Sequence, residues 1–201
     1  MIAIIDYDAG NIKSVEKAIE SLGEEVVITR NKEELLAADK VILPGVGAFG
    51  DAMEKLRSYG LEEVIHEIVD RGTPFLGICL GLQLLFESSD ETPGVAGLGL
   101  LKGKIVKIPD DQGLKVPHIG WNSLKFPNGG KLYQGIAEDS YVYFVHSYYL
   151  QAEDENIVVA TTDYVTHIHA SVEKDNIFAC QFHPEKSSKV GLQILKNFVA
   201  L

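Results

Sequence analysis

At 201 residues and 46% hydrophobic, the chain is long enough to close one sizeable core and short of a comfortable two-domain length, so a single domain over residues 1–201 is expected. Its 29 acidic against 18 basic residues leave a net charge of -11, which repels a phosphate backbone and argues against a nucleic-acid partner. No apolar run approaches the roughly 20 residues of a membrane span. The two cysteines, Cys79 and Cys180, fit neither a C-x-x-C pair nor a zinc spacing, so no metal, cofactor or disulfide framework is expected and a single reactive thiol stays open.

The opening residues from Met1 to Asp6 lack a basic leader or a small-residue cleavage site and read as the first strand, Ile2 to Ile5, of a cytoplasmic protein. Ile12, Val15, Ala18, Ile19 and Leu22 follow at helical spacing, with Asn11 as N-cap and Gly23 as the stop. Strand-like Val26 to Thr29 and Lys40 to Leu43 come next, then helical patterns through Met53 and Leu56 and through Leu61, Val64, Ile65, Ile68 and Val69. A buried strand, Phe75 to Ile78, runs directly into an apolar helical stretch from Leu80 to Phe86. This βαβ rhythm implies an α/β fold, a mostly parallel central sheet with helices on both faces.

The second half changes character. Strand candidates at Lys104 to Ile108, Tyr141 to Val145, Ile157 to Thr162, Ala170 to Val172 and Phe178 to Gln181 are separated by turn-rich stretches and are expected to add antiparallel strands to the sheet. From Ser187 onward, Val190, Ile194 and Phe198 predict a closing helix.

Gly77-Ile78-Cys79-Leu80-Gly81 sits between an apolar strand and an apolar helix, which is the thiol form of a nucleophile elbow. A sharp turn there would expose the cysteine, place it at a helix N-terminus that favours the thiolate, and offer the Leu80 backbone N–H to a developing oxyanion. Such a cysteine needs a base. Of six histidines, His183 in Phe182-His183-Pro184-Glu185 stands out: Pro184 holds His183 extended, and residues i and i+2 of an extended segment project to one side, so Glu185 would orient the imidazole. Alone, a cysteine between glycines also fits a packing residue, and an isolated His-Pro-Glu fits a turn with a solvated glutamate. Together they support acyl transfer through a thioester, with His183 activating the water that resolves it.

Six strings carry a wider likeness: Asp6-Tyr7-Asp8-Ala9-Gly10-Asn11, Leu43-Pro44-Gly45-Val46-Gly47-Ala48-Phe49, Gly77 to Phe86, Pro117-His118-Ile119-Gly120-Trp121-Asn122, Tyr143-Phe144-Val145-His146-Ser147-Tyr148, and Phe182-His183-Pro184-Glu185-Lys186-Ser187. On these the chain resembles the triad-type class I glutamine amidotransferases and, among them, the glutaminase subunits of imidazole glycerol phosphate synthases. The resemblance implies hydrolysis of L-glutamine to glutamate and ammonia, with Cys79 as nucleophile, His183 as general base and Glu185 as its partner. It also implies that Gln83 and the backbone around His146, Ser147 and Tyr148 hold the amino-acid end of glutamine. Leu80, with Val46 and Gly47, would form the oxyanion hole. The implied partner is the (β/α)8-barrel cyclase subunit of imidazole glycerol phosphate synthase, which takes the ammonia through its interior, with Trp121, Asn122, Tyr143 and Lys186 at the interface. Asp8 departs from the glycine or proline that relatives often carry there.

Other class I amidotransferases often show Pro-Gly-Gly where this chain has Pro44-Gly45-Val46-Gly47. Valine resists the positive φ that glycine tolerates, so the oxyanion hole is expected to be misoriented until partner and ligand bind. Three other readings remain open: a silent scaffold that regulates a cyclase, a glutaminase subunit of another synthase, and a cysteine peptidase or esterase of related fold.

Overall fold

The computed structural model describes residues 1–8, 10–110 and 113–201. Ala9, within the first of the six strings, lies outside the described residues. Strand β1 (Ile2–Ile5) leads through helix α1 (Ile12–Glu20) to β2 (Val26–Thr29), and helix α2 (Lys32–Ala37) leads to β3 (Lys40–Leu43). Helices α3 (Phe49–Ser58) and α4 (Leu61–Asp70) precede β4 (Phe75–Ile78), which turns directly into α5 (Leu80–Leu84). These four strands have the bounds that their apolar runs predict. Helix α2 escapes a periodicity reading because its six residues bury only Leu35; Asn31 caps it by accepting the Glu34 N–H at 2.9 Å. Helix α5 is shorter than its apolar stretch, since Leu85 and Phe86 are apolar because they are buried, not because they are helical.

The second half contributes β5 (Ser88–Ser89), β6 (Gly103–Lys107), β7 (His118–Ser123), β8 (Tyr141–His146), β9 (Tyr148–Ala152), β10 (Val158–Tyr164), β11 (Thr166–Lys174), β12 (Ile177–Cys180) and helix α6 (Ser188–Val199). The large sheet runs β2-β1-β3-β4-β12-β11-β9-β6-β5, with β10 paired to β11. Its first five strands are parallel, and β11, β9 and β6 continue it in antiparallel fashion. The fold is thus the expected one, with one correction. Strand β8 does not join the large sheet but pairs with β7 in a separate two-stranded ribbon. Strands β7 and β9 are also additions to the sequence reading; β7 carries no clean apolar alternation because much of it faces outward.

Alternation along the central strands places helices on both faces. Ala3, Ile5, Val41, Leu43, Phe75, Ile177 and Ala179 pack with α2, α3 and α4. Ile2, Ile4, Ile42, Leu76, Ile78, Phe178 and Cys180 pack with α1 and α6. Each fully buried Ile, Leu or Phe contributes about 1.5–3 kcal/mol. The C-terminal ends of β4 and β12 lie side by side, Ile78 opposite Cys180, and the strings that hold Cys79 and His183 continue from those two ends. Among the described residues, no helix is long and apolar enough to cross a membrane.

Candidate active site

Cys79 occupies the corner between β4 and α5 with φ 55° and ψ -110°. A non-glycine residue held there costs about 1–3 kcal/mol and persists only when its surroundings impose it. They do so here: the Cys79 N–H donates to the Cys180 carbonyl at 2.8 Å, and the Cys79 carbonyl accepts the Leu82 N–H at 3.0 Å. The flanking glycines serve close approach. A Cβ at Gly77 would lie 2.7 Å from the Gly81 carbonyl oxygen, and one at Gly81 would overlap the Leu43 carbonyl. The strain sits on the cysteine; the glycines let α5 pack backbone to backbone on β3 and β4.

His183 follows β12 in extended conformation, φ -99° and ψ 97°, as expected from Pro184. The route by which Glu185 reaches it needs correction. Pro184–Lys186 form a 3-10 turn, so Glu185 curls back rather than projecting along a strand; its Oε1 accepts from His183 Nδ1 at 2.8 Å. Both side chains are buried. The same Oε1 accepts from Asn11 Nδ2 at 2.5 Å. Asn11 is at the N-cap position of α1, with φ 72°, but its side chain makes no capping bond; it braces the carboxylate 174 residues away. With Nδ1 donating to Glu185, His183 presents Nε2, which has no hydrogen-bond partner among the described residues, to the pocket. Burial opposes the charged imidazole, but the nearby Cys79 and the Glu185 carboxylate bonded to Nδ1 outweigh it and push His183 up to about 9.

Cys79 and His183 open into a pocket of about 370 Å³ that is also lined by Val46, Gly47, Leu80 and Gln83. His146, Ser147 and Tyr148 form another wall, at the corner where the chain leaves the ribbon for the large sheet. Sequence reasoning named all of these. It gave no role in the site to Glu91, Pro117 and Val145, which complete the lining. Glu91 lies in a turn-rich stretch without periodicity; its one signal was a carboxylate shortly after the elbow helix. Its Oε2 accepts the Phe49 N–H at 2.8 Å, holding the carboxylate at the start of α3.

Gln83 Nε2 donates to the Tyr148 carbonyl at 3.1 Å and to Gln181 Oε1 at 3.0 Å, so only its oxygen is left for a ligand. His146 Nδ1 is 2.9 Å from the same carbonyl, and its Nε2 is 3.0 Å from His118 Nδ1. A carbonyl only accepts, so His146 carries its proton on Nδ1 and takes one from His118 on Nε2. Burial pushes the two imidazoles down, to about 3 for His146 and about 4 for His118. Both are neutral near pH 7.

The Leu80 N–H does not point freely into the pocket; it donates to the Gly45 carbonyl at 3.3 Å. Gly47 has φ 100°, and Val46 lies beside it with 40% of its surface exposed. On the outer face, Trp121 is 50% exposed and meets Tyr143 edge-on with ring centroids 6.1 Å apart. Ile119 and Tyr141, to which sequence reasoning gave no interface role, extend this apolar surface on the ribbon. Tyr143 is held through its backbone, which accepts from the His183 N–H and donates to Ser187 Oγ. Lys186 is exposed and makes no ion pair among the described residues. The Asn122 amide is committed internally, donating to the Asp163 carbonyl at 3.0 Å and lying 3.5 Å from His118 Nε2. Asp8 is tied down by Arg30 at 2.6 Å and by the Tyr59 hydroxyl.

Comparison with known proteins gives this geometry a context. Residues 3–201 match the family described as Glutamine amidotransferase class-I. The chain is 54% identical over its whole length to the imidazole glycerol phosphate synthase subunit HisH of Methanocaldococcus jannaschii, covering all of that protein. It is 52% identical to HisH of Moorella thermoacetica, with 98% of this chain and 93% of that protein covered. A crystal structure of a glutamine amidotransferase superimposes with a TM-score of 0.78 at 20% identity, covering 100% of this chain and 98% of the other, a likeness of fold. Matched to the family from residue 3 to residue 201, and more than half identical to relatives along nearly their whole length, the chain belongs to the class I glutamine amidotransferases.

Proposed function

We propose that this chain works in the cytoplasm as a single glutaminase domain, the HisH-type subunit of imidazole glycerol phosphate synthase, and supplies ammonia for histidine biosynthesis. The observation that carries this reading is the convergence of Cys79, His183 and Glu185 on one pocket of about 370 Å³. In this assignment Cys79 Sγ attacks the side-chain amide carbon of L-glutamine while His183 Nε2 holds the thiol proton. His183 returns that proton to the departing nitrogen, which leaves as ammonia, and the acyl group stays on sulfur as a thioester. Water then adds to the thioester carbonyl, giving its proton to His183, and glutamate departs as Sγ is regenerated. Glu185, braced by Asn11, keeps the imidazole in the tautomer that both steps require.

Substrate contacts follow from the pocket wall. Glu91 and the free oxygen of Gln83 are acceptors suited to the α-ammonium group, and the backbone at His146, Ser147 and Tyr148 frames the amino-acid end. Replacing Cys79 by Ala should abolish glutamate formation, and a covalent adduct with a glutamine analogue should map to Cys79; undiminished turnover in Cys79→Ala would overturn the assignment.

The partner in this proposal is a (β/α)8-barrel cyclase that docks against the ribbon, where Ile119, Trp121 and Tyr141 expose apolar surface beside Tyr143 and near Lys186. The bond between the Leu80 N–H and the Gly45 carbonyl supports a gated oxyanion hole: in this state that donor is occupied, and Val46 and Gly47 must reorient to supply another. The partner then acts by binding the reoriented state more tightly than the resting one. Glutamate formation by the chain alone, with a barrel cyclase, and with cyclase plus its phosphoribosyl ligand tests both ideas. Equal rates in all three refute the gate and the choice of partner.

A further inference from the structure

Gln181 is fully buried one residue beyond β12, and its Nε2 lies 3.7 Å from Cys79 Sγ. The orientation of this amide follows from the bonds around it. The Tyr148 carbonyl can only accept, so Gln83 must turn its nitrogen toward it. That nitrogen carries a second hydrogen, which reaches Gln181 at 3.0 Å, so Gln181 must offer its oxygen there. Its own nitrogen is thereby aimed at the sulfur. The donor direction is set by a backbone carbonyl two residues removed along the chain of bonds, not by rotation of a free amide.

We propose that Gln181 stabilises the Cys79 thiolate by donating an N–H to Sγ, as a further catalytic residue of the glutaminase site. The second polar group in hydrogen-bond range of the sulfur is the Val145 carbonyl at 4.0 Å, an acceptor that serves the protonated thiol. Gln181 therefore favours the form that attacks, and Val145 the form that rests. A hydrogen bond to thiolate is strong, and one to the thioester sulfur of the acyl-enzyme is weak, so the stabilisation is largely withdrawn once the acyl group is attached. The other titratable groups that face this sulfur are His183, His146, Tyr148 and Glu91 around the pocket, and Tyr7 and Cys180 in the core behind it. Of these, His183 is the group that exchanges a proton with it. Gln181 differs in being uncharged and fixed: it biases the thiol at every pH without titrating.

The proposal rests on Cys79 being the nucleophile. Its test is the pH dependence of Cys79 alkylation by iodoacetamide in the full-length chain, read by mass spectrometry of the Cys79 peptide, in the unaltered protein and in Gln181→Met. Methionine keeps the side-chain length and removes the donor. The alkylation profile should move up by about one pH unit, with about a tenfold lower rate near neutrality. A side chain that only fills space would leave this profile in place, so an unmoved profile overturns the proposal. In the unaltered protein, the side-chain amide proton of Gln181 should shift in NMR spectra with the same midpoint as alkylation; an amide signal indifferent to that midpoint overturns it without any variant. Failure of the underlying assignment looks different, because Cys79→Ala would then retain glutaminase activity whatever Gln181 does.

Discussion

The paired imidazoles of His118 and His146 should make the protein's stability fall in acid. Burial holds them at about 4 and about 3, whereas an unfolded imidazole titrates near ~6.5. Between those values the unfolded chain binds protons that the folded chain refuses, so stability is unaffected above ~6.5 and falls as pH drops below it. The slope is about 1.4 kcal/mol per pH unit for each histidine, or about 2 kcal/mol each by pH 5. His118→Phe preserves the stack between Phe144 and Tyr164, with centroids at 4.8 Å and 3.9 Å, but strips His146 Nε2 of its donor. Near neutral pH the variant should therefore be less stable by about 1–3 kcal/mol. It also loses one of the two refused protons, so its deficit should shrink by about 2 kcal/mol between about pH 7.5 and pH 5. Urea unfolding of both proteins across that range measures the difference. His183 has the opposite sign: raised to about 9, it adds stability that is full below ~6.5 and lost as pH rises through 9, and it is common to both proteins, as are the carboxylates. A deficit that stays constant with pH refutes the reasoning.

Asn11→Ala removes a donor from a buried carboxylate and should lower glutamate formation about tenfold without changing the overall fold, as read by steady-state kinetics and circular dichroism. Gly81→Ala puts a Cβ onto the Leu43 carbonyl and should cost more than about 3 kcal/mol in thermal or urea unfolding. Val46→Gly should raise the basal glutaminase rate of the chain alone if β-branching resists the flip; an unchanged or lower rate, with stimulation by the partner intact, assigns the resistance elsewhere. Trp121→Ala, at a half-exposed position, should weaken cyclase binding by about 2 kcal/mol in calorimetry while leaving the melting temperature in place.

Much of this was legible in the chain itself, because some features are local. Strands β1 to β4 announce themselves as four-residue, mostly apolar runs, fully buried in β1 and β4, and the elbow follows from glycines two residues either side of a cysteine. His183 and Glu185 were legible as a pair, although the 3-10 turn that joins them was not, since the pairing depends only on short separation and a proline. What escaped was assembled by tertiary contact. Asn11 looks like a helix cap by position and type, yet its amide is taken by Glu185 from across the fold. Gln181 sits in an apolar run where a buried amide gives no period of its own, and Glu91 sits in a turn-rich stretch. The donor direction that defines the role of Gln181 comes from the Tyr148 carbonyl on β9.

The ribbon of β7 and β8 ties the outer surface to the pocket more directly than the large sheet does. Its outward side carries Trp121 and Tyr141, while its inward side carries His118 and His146, opposite each other in register. His146 is one residue from the corner at Ser147, and its Nδ1 fixes the Tyr148 carbonyl that orients Gln83 and, through it, Gln181. Asn122, beside Trp121, holds the far end of the same run of bonds through His118. The Tyr148 carbonyl accepts from both sides of this run: from His146, and from Gln83, whose second N–H passes on to Gln181 and so toward the sulfur. A partner that shifts the ribbon therefore shifts the acceptor on which the pocket amides depend, and that gives docking at Trp121 a physical means of reaching Cys79 in addition to the loop at Val46. The two routes separate experimentally: the proposed loop gate would act on the oxyanion and so on turnover, whereas a shift of the ribbon would act on the thiol and so on its alkylation profile.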